Sequence, residues 1–321
     1  MATACTCNVG LGNTGSPNCI PLMDAALFFI AVPYFRADGS VNGIDLSTLP
    51  GGKLNQTFLD EQIRNADDQE RWRILPRMKN VTDERGDDIT EDFDDQTSVF
   101  IQQGIRSVSA LMLKQGPTLL GILEGFRCAS VGLFVVDKSF NLIGNCSQDG
   151  FLNPIRVSDE TWSPMLIKTT DTTKQKIQLN FQWDISEQDK DLAQIGASDI
   201  TANLSNARAM IDGVVSLAVN SATQDSITLT LNTLYGDKLN PIPAAGMTNV
   251  SDWSLFNRNT LSPMAVTSVS VAGDNSYTLN FIAENIGDVV EIESGQVPGT
   301  IVSSIYNKIY DITKYSHTLT A

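Results

Sequence analysis

The chain carries one histidine, His317, close to its C-terminal end. A Ser-His-Asp triad or a histidine-rich metal centre would therefore rest entirely on that residue. Cysteine is also scarce: Cys5, Cys7, Cys19, Cys128 and Cys146 form an odd set. That argues against a complete disulfide framework and for synthesis in a reducing compartment. No apolar run approaches the roughly 20 residues that a helical membrane span requires. The stretch Ala25 to Val32 is about half that length. No Lys or Arg precedes it and Asp24 adjoins it, so the basic flank of a secretory signal is missing. The expectation is a protein made in the cytoplasm with no membrane contact.

Positive charge is in short supply too. Twenty-two Lys and Arg face 37 Asp and Glu, for a formal charge of -15 and a pI near 4.4. Binding that depends on neutralising phosphates is disfavoured by this balance. A surface along which DNA slides without sticking remains compatible with it. With 321 residues and 42% hydrophobic content, the chain is long enough for two cores of ordinary size.

Several strings resemble motifs and fail on their context. Gly10-Leu11-Gly12-Asn13-Thr14-Gly15 has the spelling of a dinucleotide fingerprint, but that chemistry needs a strand before it and a helix after it. Here Pro17 and Pro21 follow. Cys5 and Cys7 with Cys19 would give three thiolates with no fourth Cys or His nearby, so ordinary thiols are expected. From Asp83 to Asp95 eight acidic residues are opposed only by Arg85. A calcium loop would need alternating Asp/Asn ligands, a central Gly and a distal Glu; that spacing is absent, and a solvated acidic loop is expected. Carboxylates are abundant, yet nothing singles out a catalytic pair. No catalytic, cofactor-binding or metal-ligating residue is assigned. Trp162, Trp183, Trp253, Phe134 and Phe181 invite a sugar-stacking platform, but core packing is the commoner fate of aromatics on strand-like stretches.

The order of elements is clearest from residue 97 onward. Ser98 to Ile101 and Ile105 to Leu113 read as strands, and Thr118 to Phe126 as a short helix with Thr118 a candidate N-cap. A hairpin is expected from Ser130–Val136 and Leu142–Cys146 around a turn at 137–141. Gln175 to Asp184 places Ile177, Leu179, Phe181 and Trp183 on one face of a half-buried strand. Residues 58–72 allow a short helix. From Gly213 to Glu293 six short strands alternate with turn clusters, at Val214–Val219, Asp225–Asn232, Asp252–Phe256, Met264–Val271, Tyr277–Ala283 and Asp288–Glu293, which is a sandwich signature. The isoleucines Ile301, Ile305, Ile309 and Ile312 leave helix or strand open.

The run from Ser98 to Ser107, with Leu119–Leu123, Ser130–Asp137, Asn141–Gly144 and Ile177–Asp184, resembles structural proteins of tailed bacteriophages, particularly tail-tube (major tail) proteins. The strands containing Ser226–Leu231, Tyr235–Asp237, Val266–Val271 and Tyr277–Phe281 are similar to bacterial immunoglobulin-like domains of the kind phages append to virion proteins. Together the two resemblances cover about three quarters of the chain. They imply a mainly β fold: a β-sandwich or barrel with one or two flanking helices, followed by an immunoglobulin-like β-sandwich. Residues 1–22, small, polar and punctuated by Gly and Pro, read as an assembly arm or as plain disorder; the organisation expected is that N-terminal assembly arm (1–22), a tail-tube-like β domain (23–205), an immunoglobulin-like domain (206–298) and a C-terminal tail (299–321). The resemblances further imply a non-enzymatic virion protein without cofactors. Its partners would be copies of itself in stacked, hexameric rings, other virion proteins, and DNA that passes through without specific binding. A head, connector or baseplate component shares these features. A surface adhesin or carbohydrate-binding module, and a two-carboxylate hydrolase, are the alternatives from other classes.

Overall fold

The computed structural model describes residues 22–65, 67, 70–94, 97–146, 150–187, 189–209, 211–235, 241–273, 275–294, 310–312 and 315–320. The expected arm up to residue 21, the Gly10 to Gly15 string, Cys5, Cys7, Cys19, Asp95, Ile301, Ile305 and Ile309 lie outside the described residues. The chain is mainly β and divides into two compact units, 1–207 and 208–321.

The first unit contains, in chain order, β1 (Ala26–Pro33), β2 (Ile44–Asp45), α1 (Gln56–Ile63), β3 (Arg73–Ile74), β4 (Met78–Arg85), β5 (Ile89–Asp92), β6 (Ser98–Gln102) and β7 (Arg106–Leu113). There follow α2 (Pro117–Gly125), β8 (Val131–Asp137), β9 (Leu142–Cys146), β10 (Phe151–Asn153), β11 (Ile155–Arg156), β12 (Ser163–Ile167), β13 (Lys176–Gln182) and β14 (Leu192–Ile195). One sheet runs β2-β10-β9-β8-β1-β3, with β11 paired to β8 and β14 to β9. A second runs β12-β13-β7-β4, and β5 with β6 forms a separate ribbon.

The apolar run Phe28 to Val32 is a central strand. It pairs with β8 on one side and β3 on the other, and all five residues are buried. Phe29 and Ala31 join Leu133 of β8, Ala110 and Met112 of β7, and Ile177, Leu179 and Phe181 of β13 in one core between the two sheets. Phe28, Ile30 and Val32 point to the opposite face, as alternation along a strand requires. On the other face of β8, Phe134 packs against Trp72, which in turn meets Phe58 of α1. A strand covered on both faces reads as a continuous hydrophobic run, without the alternation of a half-solvated one.

Local chemistry accounts for the helix starts. Asn55 caps α1 by accepting from the Phe58 N–H at 2.8 Å, and the helix ends at Ile63, earlier than residue 72. α2 begins at Pro117 after Gly116, not at Thr118. Proline's fixed φ and missing N–H suit the first helical position, which places the cap at Gly116, two residues upstream of Thr118. The β8–β9 turn is held by Asp137, whose carboxylate accepts from the Asn141 N–H and side-chain amide, each at 2.8 Å.

The second unit is a two-sheet sandwich. Its strands are β15 (Ile211–Ala222), β16 (Ser226–Thr233), β17 (Ile242–Pro243), β18 (Trp253–Asn257), β19 (Ser262–Met264), β20 (Val266–Ala272), β21 (Ser276–Phe281), β22 (Val289–Ser294), β23 (Tyr310–Ile312) and β24 (Tyr315–Thr318). One sheet is ordered β20-β21-β16-β15-β23 and the other β19-β18-β22-β24. Lettering β15, β16, β18, β19, β20, β21, β22 and β24 as A, B, C, C′, D, E, F and G gives the immunoglobulin pairing D-E-B-A against C′-C-F-G. Trp253, at the start of strand C, packs on Tyr277 with ring centroids 5.2 Å apart. The Tyr277 hydroxyl donates to the Ala244 carbonyl at 2.6 Å.

This topology corrects the tail expected over 299–321. β24 pairs with β22, β23 lies parallel to β15, and Leu319 is buried in the sandwich core. The sandwich needs this last strand to cover the free edge of β22. Its own residues, Tyr315 to Thr318, are too polar to announce themselves as a strand.

Candidate assembly hairpin

As far as Asp94, the acidic stretch that begins at Asp83 is built on two strands, joined by residues 86–88, where its composition suggests a loop throughout. β4 pairs with β7, with Asp83 opposite Val108 and Arg85 opposite Arg106. β5 continues the pairing onto β6, with Thr90 opposite Phe100 and Asp92 opposite Ser98. The strand signal is hidden because the ribbon buries neither face, so acidic residues occupy both. Every residue of β5 and β6 is exposed. Among these and their flanks, Ile89, Phe93, Val99, Phe100, Ile101 and Ile105 are large apolar side chains left 44–56% accessible. Val99 and Ile101 project from one face and Phe100 from the other. A two-stranded ribbon with no covered face is marginal in water, and this one carries large exposed apolar side chains on both faces.

The neck of this hairpin is built tightly. Arg106 grips Asp83 through Nε–Oδ1 at 2.6 Å and Nη2–Oδ2 at 2.8 Å. Its remaining Nη1 donates to Asp189, which also accepts from Arg85 at 3.0 Å. Burial works against the Arg106 charge, but the Asp83 hydrogen bonds and the charges of Asp83 and Asp189 outweigh it and raise its pKa. Arg85 also donates to the Gln103 side chain and the Gly104 carbonyl, at 3.0 and 3.2 Å. Gly104 donates to Asp88 at 3.0 Å. At Gly104 the backbone approach leaves no room for a side chain: a Cβ would lie 2.0 Å from the Gly86 carbonyl oxygen and 2.5 Å from that of Asp87.

Beside the neck lies a cavity of about 350 Å³. Phe29, Val135, Ile143 and Leu192 form part of its apolar wall, while Asp83, Arg106, Glu187 and Asp189 supply charge. Burial raises the pKa of Glu187, and the nearby Asp184 adds to the shift; hydrogen bonds from the Arg156 N–H and the Asn145 side-chain amide oppose it. The Arg156 N–H reaches Glu187 Oε1 at 2.9 Å, and Asn145 donates to Oε2. The Arg156 guanidinium lies over the Tyr34 and Phe35 rings, at 5.4 and 5.6 Å from their centroids. Both oxygens of Asp83 and both of Glu187 are thus engaged in fixing strands and loops. The Arg106–Asp83 pair anchors the hairpin, and the Glu187 contacts tie β9 and β11 to the segment before β14.

The other residues weighed in the sequence fall elsewhere. Trp162, Trp183, Trp253, Phe134 and Phe181 are all buried, so they form core and no stacking platform. Trp162 donates from Nε1 to the Leu123 carbonyl at 2.8 Å, tying α2 to the sandwich. His317 lies on β24 opposite Val290, in the second unit. Cys128 is an exposed free thiol, whereas Cys146 is disulfide-bonded. Among the described residues no group of three or more His, Cys, Asp or Glu could hold a metal ion, and no helix is long and apolar enough to cross a membrane. Composition alone hid the paired neck carboxylates. The signal that locates them is the pair of arginines, Arg85 and Arg106, flanking the acidic hairpin. No known protein-family model matches the chain, and no curated protein matches it.

Proposed function

We propose that the chain is a virion structural protein of a tailed bacteriophage that assembles with copies of itself, the tail tube being its leading identity. The observation that carries this reading is the β5–β6 ribbon, exposed on both faces and rich in large apolar side chains. Such a ribbon is stabilised when another surface covers it, and homo-oligomers are the commonest way to supply one. β4, at the edge of the β12-β13-β7-β4 sheet, offers a second, eight-residue contact line, of the sort that proteins must cover or pair. The net charge of -15 suits a wall that repels passing phosphates. A head, connector or baseplate component would use the same ribbon in the same way.

Negative-stain microscopy and light scattering of the purified chain test the reading. Rings or tubes are expected, together with no measurable DNA affinity at low salt, where screening is weakest. A concentration-independent monomer would oppose self-assembly, and tight, salt-sensitive DNA binding would oppose the conduit.

A further inference from the structure

The β12-β13-β7-β4 sheet has two chemically opposite ends. At one end β4 and β7 run out into the ribbon, where Asp87, Glu91 and Asp94 are exposed. At the other end Lys114 follows β7, and Lys168 and Lys174 flank the turn between β12 and β13. All three lysines are exposed, with Asp171 the one acidic residue of that turn. The Lys114 N–H bonds the Gln175 carbonyl at 3.1 Å, which fixes these two corners side by side. Leu113 and Met165, 44% and 50% accessible, add apolar surface at the same end. β7 is eight residues long, so the two ends stand roughly 27 Å apart at about 3.4 Å per residue.

We infer that the ribbon of one copy docks head-to-tail on the lysine end of the next copy's first unit. This rests on the self-assembly reading and specifies its geometry. A ribbon meeting a second ribbon would set carboxylates against carboxylates, whereas the lysine end offers opposite charge and uncovered apolar surface together. Charge complementarity fixes which ends meet and speeds their encounter, while burial of Phe100, Ile101 and their neighbours supplies most of the attraction. The contact joins two different patches, so it is heterologous and repeats from copy to copy until it closes or extends.

A charge-swap experiment on the full chain tests this. The variants K114E/K168E/K174E and D87K/E91K/D94K are each examined by sedimentation velocity, alone and as an equimolar mixture, with circular dichroism as the check on folding. Each alone is expected to need at least about tenfold more protein to assemble, about 1.4 kcal/mol of lost association. The mixture should recover wild-type assembly, because each altered end then meets its complement. Wild-type assembly should also weaken between about 0.05 and about 0.5 M NaCl, a readout that does not depend on any variant folding. Assembly of either variant at the wild-type concentration, failure of the mixture to recover, or indifference to salt would overturn the head-to-tail contact while leaving self-assembly standing. A wild-type chain that stays monomeric throughout would instead bring down the self-assembly reading itself.

Discussion

Arg106 holds Asp83 with two nearly parallel hydrogen bonds of 2.6 and 2.8 Å, at the point where the β4–β7 pair leaves the sandwich and becomes the ribbon. Its third contact, to Asp189, fastens the same point to the loop before β14. Replacing Arg106 with Gln removes charge-assisted bonds whose partners are partly solvated, so the cost is about 1–2 kcal/mol. The loss should be local. Native-state hydrogen exchange at Gly86 and Gly104, whose N–H groups bond the Ile105 carbonyl and Asp88, is expected to speed up while amides in β13 are unchanged. Uniform acceleration across the unit would assign Arg106 to global stability instead.

Gly104→Ala tests the neck in a different way. The added methyl group would press on two backbone oxygens, and backbone cannot swing aside as a flexible side chain can. The strands must separate locally at a cost of about 1–3 kcal/mol. A lower urea midpoint and faster proteolysis between residues 86 and 104 are the expected signs. An unchanged midpoint would mean that the close approach relaxes freely.

Glu187 makes stability depend on pH. Burial raises its folded pKa, so the folded chain still holds the proton where the unfolded chain has lost it. Stability contributed by this group is therefore lost as pH rises from about 4.3 through the folded value. Glu187→Gln removes that penalty, with the Asn145 amide able to turn over and donate or accept as needed. The variant should have the higher urea midpoint near neutral pH, and the advantage should vanish below about pH 4. A deficit of equal size at both pH values would show that its hydrogen bonds matter more than its charge.

Truncation after residue 298 probes the last strand of the immunoglobulin-like sandwich. It removes β23, β24 and the buried Leu319, exposing the edge of β22. Cooperative unfolding of the second unit should be lost or its midpoint lowered by several degrees, since loss of a buried Leu alone costs about 2–5 kcal/mol. A second unit that melts as before would return residues 299–321 to the status of a dispensable tail.

Much of the fold was legible in local patterns. The alternation of Ile177, Leu179 and Phe181 marked β13, and the turn at Asp137 to Asn141 marked the β8–β9 hairpin, because each of those signals is written in neighbouring residues. The exposed ribbon was not legible in the same way. Asp87, Asp88, Glu91 and Asp92 concealed a strand whose β structure is imposed by its partner, β6, and a composition rule reads such a block as a loop. The final strand, Tyr315 to Thr318, was missed for a related reason: its polar residues gain their place from pairing with β22, a contact between distant parts of the chain.

The role of the ribbon in self-assembly is tested most directly by sedimentation velocity on the full chain beside the variant V99S/F100S/I101S, over a range of protein concentrations. These three side chains are 52–56% accessible and belong to no buried core, so the variant should keep the wild-type circular dichroism spectrum and melting temperature. The wild-type chain should sediment as species that grow with concentration, and the variant as a monomer. A wild-type monomer at every concentration, or a variant that assembles as the wild type does, would contradict the assignment of the ribbon as the assembly contact.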